Sequence, residues 1–83
     1  MNTTTLESTI ISIALDQLAT TRATAMTPRA RRKDAMRAVA AFVRNRAPVW
    51  SADQMDEAEC GRELAQEIVE RVCPDPLPAG SVR

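Results

Sequence analysis

The stretch "TPRARRKDAMRAVAAFVRNRAPVWSADQM", residues 27–55, decides the fold. Thr27 is a capping residue, and Pro28 sits at the first helical position, where its missing N–H costs nothing. Ala35, Met36, Val39, Phe42 and Val43 then recur as an apolar stripe, while Lys33, Arg37 and Arg44 share a solvent-side stripe. Pro48 disfavours helical geometry in the residue before it, so this helix is predicted to end near Ala47. A second start follows at once. Ser51 caps, Gln54 completes a capping box, and Trp50 is placed to staple onto Met55.

From that start, Met55, Ala58, Leu64, Ala65, Ile68, Val69 and Val72 form the predicted core face of a third helix. Gly61 falls on the same face. A glycine there costs about 1 kcal/mol of helix propensity, which points to close approach of another backbone. Pro74 stops the helix after Cys73, and "PDPLPAGSVR" reads as an extended, Pro-rich tail.

Upstream, Thr4 and Glu7 make a third capping box. Leu6, Ile10, Ile11, Ile13, Ala14, Leu15 and Leu18 cover an arc of about 200°, wider than one amphipathic stripe requires. Such a helix is either central or has a second apolar surface to cover. One division sends Leu6, Ile10 and Ile13 outward, as a homodimer or partner groove, and Ile11, Leu15 and Leu18 inward. A strand through "TIISIAL" is the rival, which the cap and the length of the pattern disfavour. The threonine-rich "ATTRATAM" blurs the end.

Together these signals predict an all-α, compact three-helix domain with helices at about 5–25, 28–46 and 52–73. The domain spans 1–73 and a flexible Pro-rich tail 74–83. Short connections at 26–27 and 47–51 favour antiparallel neighbours. Composition agrees: 83 residues hold one Phe, one Trp, no Tyr and two glycines. Few aromatics and much alanine suit helices better than sheets.

Net charge is zero, but it is strongly segregated. Arg29, Arg31, Arg32, Lys33, Arg37, Arg44 and Arg46 stand against Asp34 alone on the second helix. Over residues 51–75, the third helix and the start of the tail, Asp53, Asp56, Glu57, Glu59, Glu63, Glu67, Glu70 and Asp75 stand against Arg62 and Arg71. Such asymmetry implies a charged partner.

The cluster Arg29, Arg31, Arg32 and Lys33, with Arg37 and Arg44 behind it, is the candidate anion- or partner-binding site. Four cations at the positive end of a helix dipole are locally unfavourable. Free N–H groups and guanidinium forks there would hold a phosphate or carboxylate. The bland alternative is a solvated face, or salt bridges to the acidic helix. Asp56, Glu59, Glu63, Glu67 and Glu70 line one side of the third helix as an acidic partner face. An exposed line of carboxylates does not converge as metal catalysis requires.

Cys60 and Cys73 share one helix about 20 Å apart, beyond disulfide reach. Cys73 is expected to pack and Cys60 to be exposed. With no basic leader and no apolar run of about 20 residues, a cytoplasmic, reduced protein without a membrane span is expected. The chain has no His, no glycine-rich phosphate loop and no triad, so neither catalysis nor a metal or cofactor is expected.

In size, composition and missing catalytic motifs the chain is similar to the tiny helical proteins of phages and mobile elements, such as anti-CRISPR inhibitors. The likeness touches no defined positions, so no residue role carries over; it implies an inhibitor or modulator that occupies a surface of a large complex. The expected function is therefore a small helical binding protein with a protein partner, addressed by its charged faces. The alternatives are a DNA- or RNA-binding regulator using the second helix, including a helix-turn-helix arrangement, and a self-assembling subunit whose basic face meets the acidic face of the next copy. Scarce aromatics for base stacking and a pI near 6.2 weigh against nucleic acid.

Overall fold

A computed structural model describes residues 4–76. Thr4 opens α1, Thr5–Thr20, with both halves of the capping box formed: Glu7 N–H donates to Thr4 Oγ1 at 3.1 Å, and Thr4 N–H to Glu7 Oε1 at 2.9 Å. Thr27 opens α2, Pro28–Arg46, its hydroxyl accepting from Ala30 N–H at 3.1 Å. Ser51 and Gln54 open α3, Ala52–Val72, with the reciprocal pair at 3.2 and 2.8 Å. Each predicted helix start is thus present. No strand occurs among the described residues.

α1 lies centrally and packs against both α2 and α3, which touch each other less. Small side chains make this possible. Ile10, Ala14, Leu18, Ala35, Val39, Ala58, Ala65, Val69 and Cys73 form the buried cluster, and only Ile10, Val39 and Val69 among them are both large and fully enclosed. Alanine at the crossings lets helices approach closely and leaves a thin core. At Gly61 the approach is close: a Cβ there would stand 3.1 Å from Glu7 Cα and 3.2 Å from Ile10 Cδ1. Any larger residue would require α1's backbone at Glu7 to give by a few tenths of an ångström.

Several boundaries and faces differ from expectation. α1 ends at Thr20, not near residue 25, and residues 21–27 form a longer connection than the two-residue turn expected. Threonine hydroxyls compete with the backbone here. Thr21 Oγ1 donates to Leu18 O at 3.2 Å and Thr24 Oγ1 to Thr21 O at 2.6 Å, replacing another helical turn. The division of α1 also changes: Ile10, Ala14 and Leu18 face the core, Leu6, Ile11 and Ile13 are half-buried, and Leu15 is exposed. Two neighbours flank one central line of contact, so an outward Leu6–Ile10–Ile13 face does not form.

After α2, Ala47–Val49 make one 3₁₀ turn, with Ala47 kept in the right-handed helical region despite Pro48. That turn brings Trp50 back onto α2, where its ring meets Phe42 at a centroid distance of 6.0 Å. Met55 and Val72, both expected in the core, are exposed. They lie near the two ends of α3, and Val72 stays partly open in a shallow concavity with Leu15, Leu18 and Ala19 of α1. Residues 74–76 carry no regular structure, and the remainder of the expected tail lies outside the described residues.

Candidate functional site

The basic cluster divides into two groups with different work. Arg31 and Arg32 are successive residues, so their side chains leave α2 about 100° apart and reach different neighbours. Arg31 turns to α1, donating from Nη2 to Leu18 O at 2.8 Å and from Nε to Thr21 Oγ1 at 3.1 Å. Arg32 turns to α3, donating from Nη1 to Cys73 O at 2.6 Å and from Nη2 to Asp75 Oδ1 at 3.0 Å. Both guanidinium groups therefore sit at helix C-termini, where the last carbonyls need donors and the dipole favours a cation. Their unfavourable place at the start of α2 is offset by a favourable place at the ends of α1 and α3.

The N-terminus of α2 is also not an open anion cradle. Pro28 has no N–H, and the Thr27 hydroxyl takes that of Ala30. With Arg31 and Arg32 engaged, the expected phosphate-holding arrangement loses two of its four cations. Arg29, Lys33, Arg37 and Arg44 are exposed.

The four exposed cations stand on the face turned away from α1. Arg31 and Asp34 mark the opposite side of α2, the latter accepting from Gln17 Nε2 at 2.6 Å. On α3, Gly61 marks the side that meets α1. Asp56, Glu59, Glu63, Glu67 and Glu70 project away from it, and all are exposed. From Arg29 to Arg44 the basic row is about 22 Å long, and from Asp56 to Glu70 the acidic row is about 21 Å. The rows run side by side along an antiparallel helix pair.

Between them lies a groove in two connected parts. One, of about 430 Å³, is lined by Met36, Glu59, Arg62, Glu63, Gln66 and Glu67. The other, of about 310 Å³, is lined by Arg29, Arg32, Lys33, Met36, Gln66 and Glu70. Met36 and Gln66 belong to both. Among the described residues the one ion pair is Arg32–Asp75, so the two rows do not neutralise each other. Of the bland alternative for the basic cluster, salt bridges between the α2 and α3 rows do not form, whereas a solvated face fits the exposed Arg29, Lys33, Arg37 and Arg44.

A second concavity, about 580 Å³, was not foreseen. It opens where the start of α1 meets the α2–α3 connection, with Leu6, Phe42, Trp50, Arg46 and Glu57 in its walls. Arg46 sits over the Phe42 ring at 5.3 Å, a cation–π distance. Phe42 and Trp50 were readable in the sequence only as a core residue and a neighbour of the α3 cap, and their pairing was not.

Cys73 is buried, and its thiol donates to Pro28 O at 3.7 Å. Cys60 is exposed, as expected. Hydrogen bonding to the Glu7 carboxylate, then that carboxylate's charge, hold its thiol above the usual cysteine range. A thiol held protonated is a poor nucleophile. Among the described residues no three His, Cys, Asp or Glu side chains are grouped to hold a metal ion, and no helix is long and apolar enough to cross a membrane.

No protein-family model, no curated protein and no solved structure matches this chain.

Proposed function

We propose that the chain is a small non-enzymatic binding protein, a modulator that docks on a larger macromolecular complex through the charged faces of α2 and α3. One observation carries this: two exposed rows of opposite sign lie on one face and are not paired with each other. Charged side chains that could neutralise one another across a groove, but do not, are available to a partner. A face of this kind gives fast, salt-sensitive and selective association. The carboxylates are spread along about 21 Å of helix, which suits surface recognition better than chemistry at a point. The inhibitor or modulator role adds the likeness in size and composition to phage-type proteins, and the reduced cytoplasm is the compartment in which two free thiols would persist.

The rival partner is nucleic acid held by α2. Inward-turned Arg31 and Arg32 and the neighbouring acidic row both weaken it. The deciding experiment pairs oligonucleotide titration at low and physiological salt with cross-linked capture of partners from lysate. It uses the wild type, Arg29/Lys33/Arg37/Arg44→Ala, and Glu59/Glu63/Glu67/Glu70→Gln. The expected result is no oligonucleotide binding and capture of a defined protein complex that both variants lose. Oligonucleotide binding lost only in the basic-row variant would replace this proposal with a DNA- or RNA-binding regulator. Capture unaffected by either variant would overturn the role of the charged face.

A further inference from the structure

We infer that the α2–α3 face is self-complementary and pairs with the same face of a second copy, forming a two-fold dimer held by basic-on-acidic rows. This rests on the same face as the proposed function, but names a different occupant.

Geometry carries it in three steps. The two rows have opposite sign and nearly equal length, about 22 and 21 Å. They run level with each other, because Arg29 and Lys33 share one part of the groove with Glu70, while Glu59, Glu63 and Glu67 line the part that continues from it. Both face away from α1. Consider a two-fold axis lying in this face, along the groove and parallel to the helices. It turns a second copy over and sets its α3 on the first copy's α2 without sliding either along its length. Arg29 and Lys33 then meet the partner copy's acidic row near Glu70 and Glu67, and the same contacts recur on the other side. Met36, half-buried at the centre of the groove, meets its own symmetry mate there.

The closed arrangement is favoured over an open chain of copies because both rows lie on one face. A single two-fold contact engages the groove-lining parts of both rows at once and leaves neither for a third copy. Zero net charge removes the long-range repulsion that opposes association of like molecules. Arg62, in the acidic wall, is a like charge opposed to the basic row. The seam has little apolar area, so it belongs with small, transient interfaces, with a dissociation constant on the order of micromolar.

The test is sedimentation velocity on the full chain from low micromolar to several hundred micromolar, at about 10 and 150 mM salt, where the screening length falls from about 30 to 8 Å. A concentration-dependent dimer is expected, weakened at least about tenfold by the added salt. Two charge-swapped chains decide the contact: Arg29/Lys33/Arg37→Glu and Glu59/Glu63/Glu67→Lys. Each alone should be monomeric at low salt, and an equimolar mixture should form a one-to-one heterodimer. Far-UV circular dichroism confirms that each is folded, and recovery in the mixture excludes misfolding as the cause. A folded wild type that stays monomeric at low salt and high concentration overturns the inference, as does a dimer that both swapped chains retain. Either result leaves capture of another complex standing on its own test. Conversely, a dimer that captures nothing supports the inference and refutes the proposed function.

Discussion

Alanine substitution should divide the "RARRK" cluster into two structural and two non-structural cations. Arg31 makes two hydrogen bonds to the end of α1. Its removal does not orphan Leu18 O, which still accepts from Thr21 Oγ1 at 3.2 Å. The loss is therefore that of charge-assisted bonds at a half-buried site, about 1.5 kcal/mol, near the low end for charged donors because water can enter. Arg32 bonds the C-terminal carbonyl of α3 at 2.6 Å and Asp75 at 3.0 Å. Its side chain is 15% exposed, whereas that of Asp75 is 65% exposed, so the carbonyl bond dominates and the ion pair adds little. Arg32→Ala should cost about 2 kcal/mol. In a domain of this size these losses lower the melting temperature by about 6–16 °C. Arg29→Ala and Lys33→Ala should change it little, since both are exposed and make no intramolecular bond among the described residues. Arg31→Lys and Arg32→Lys should recover only part of the loss, because an ammonium cannot span two acceptors as a guanidinium fork does. Urea unfolding followed by far-UV circular dichroism measures all six variants. Equal effects of the four alanine substitutions, or full recovery by lysine, would refute the assignment of Arg31 and Arg32 to helix ends.

Gly61→Ala should destabilise by about 1 kcal/mol: about 1 kcal/mol is gained in helix propensity, but about 2 kcal/mol is lost as the new Cβ presses on Glu7 Cα and Ile10. A more stable variant by urea titration would show that the helices can part freely. Thr27→Ala, which removes the acceptor for Ala30 N–H, should cost about 1 kcal/mol in the same assay. Iodoacetamide should alkylate Cys60 with a pH midpoint above that of a free cysteine thiol, because the thiolate is the reacting form and the Glu7 carboxylate favours the thiol. Glu7→Gln keeps a capping side chain but removes the charge, so it should lower that midpoint and speed alkylation at neutral pH; an unchanged profile would remove Glu7 as the cause.

Each helix start was readable from a few adjacent residues. Thr4 with Glu7, Thr27 with Pro28, and Ser51 with Gln54 act within one turn, so tertiary contacts are not needed to place them. The Ala35–Val39 and Ala58–Ala65–Val69 stripes likewise follow from helical period alone, as does the segregation of charge onto two helices. Close approach at Gly61 was legible for a related reason: a helix carries a glycine on its core face at a cost, and packing is what offsets it.

Where those stripes meet was decided by packing. Seven apolar residues around α1 left two divisions open, and only flanking by both neighbours selected Ile10, Ala14 and Leu18 over Ile11 and Leu15. Thr21 and Thr24 end α1 early through hydroxyl bonds that compete closely with another helical turn, a balance of small terms that Arg31, ten residues further on, helps to settle. The basic cluster shows the limit most clearly. Four neighbouring cations look alike in one dimension, yet two cap the ends of other helices and two face solvent. What separates them is the 100° turn between successive residues and the position of α1 and α3 around α2, which exist only once the three helices are assembled.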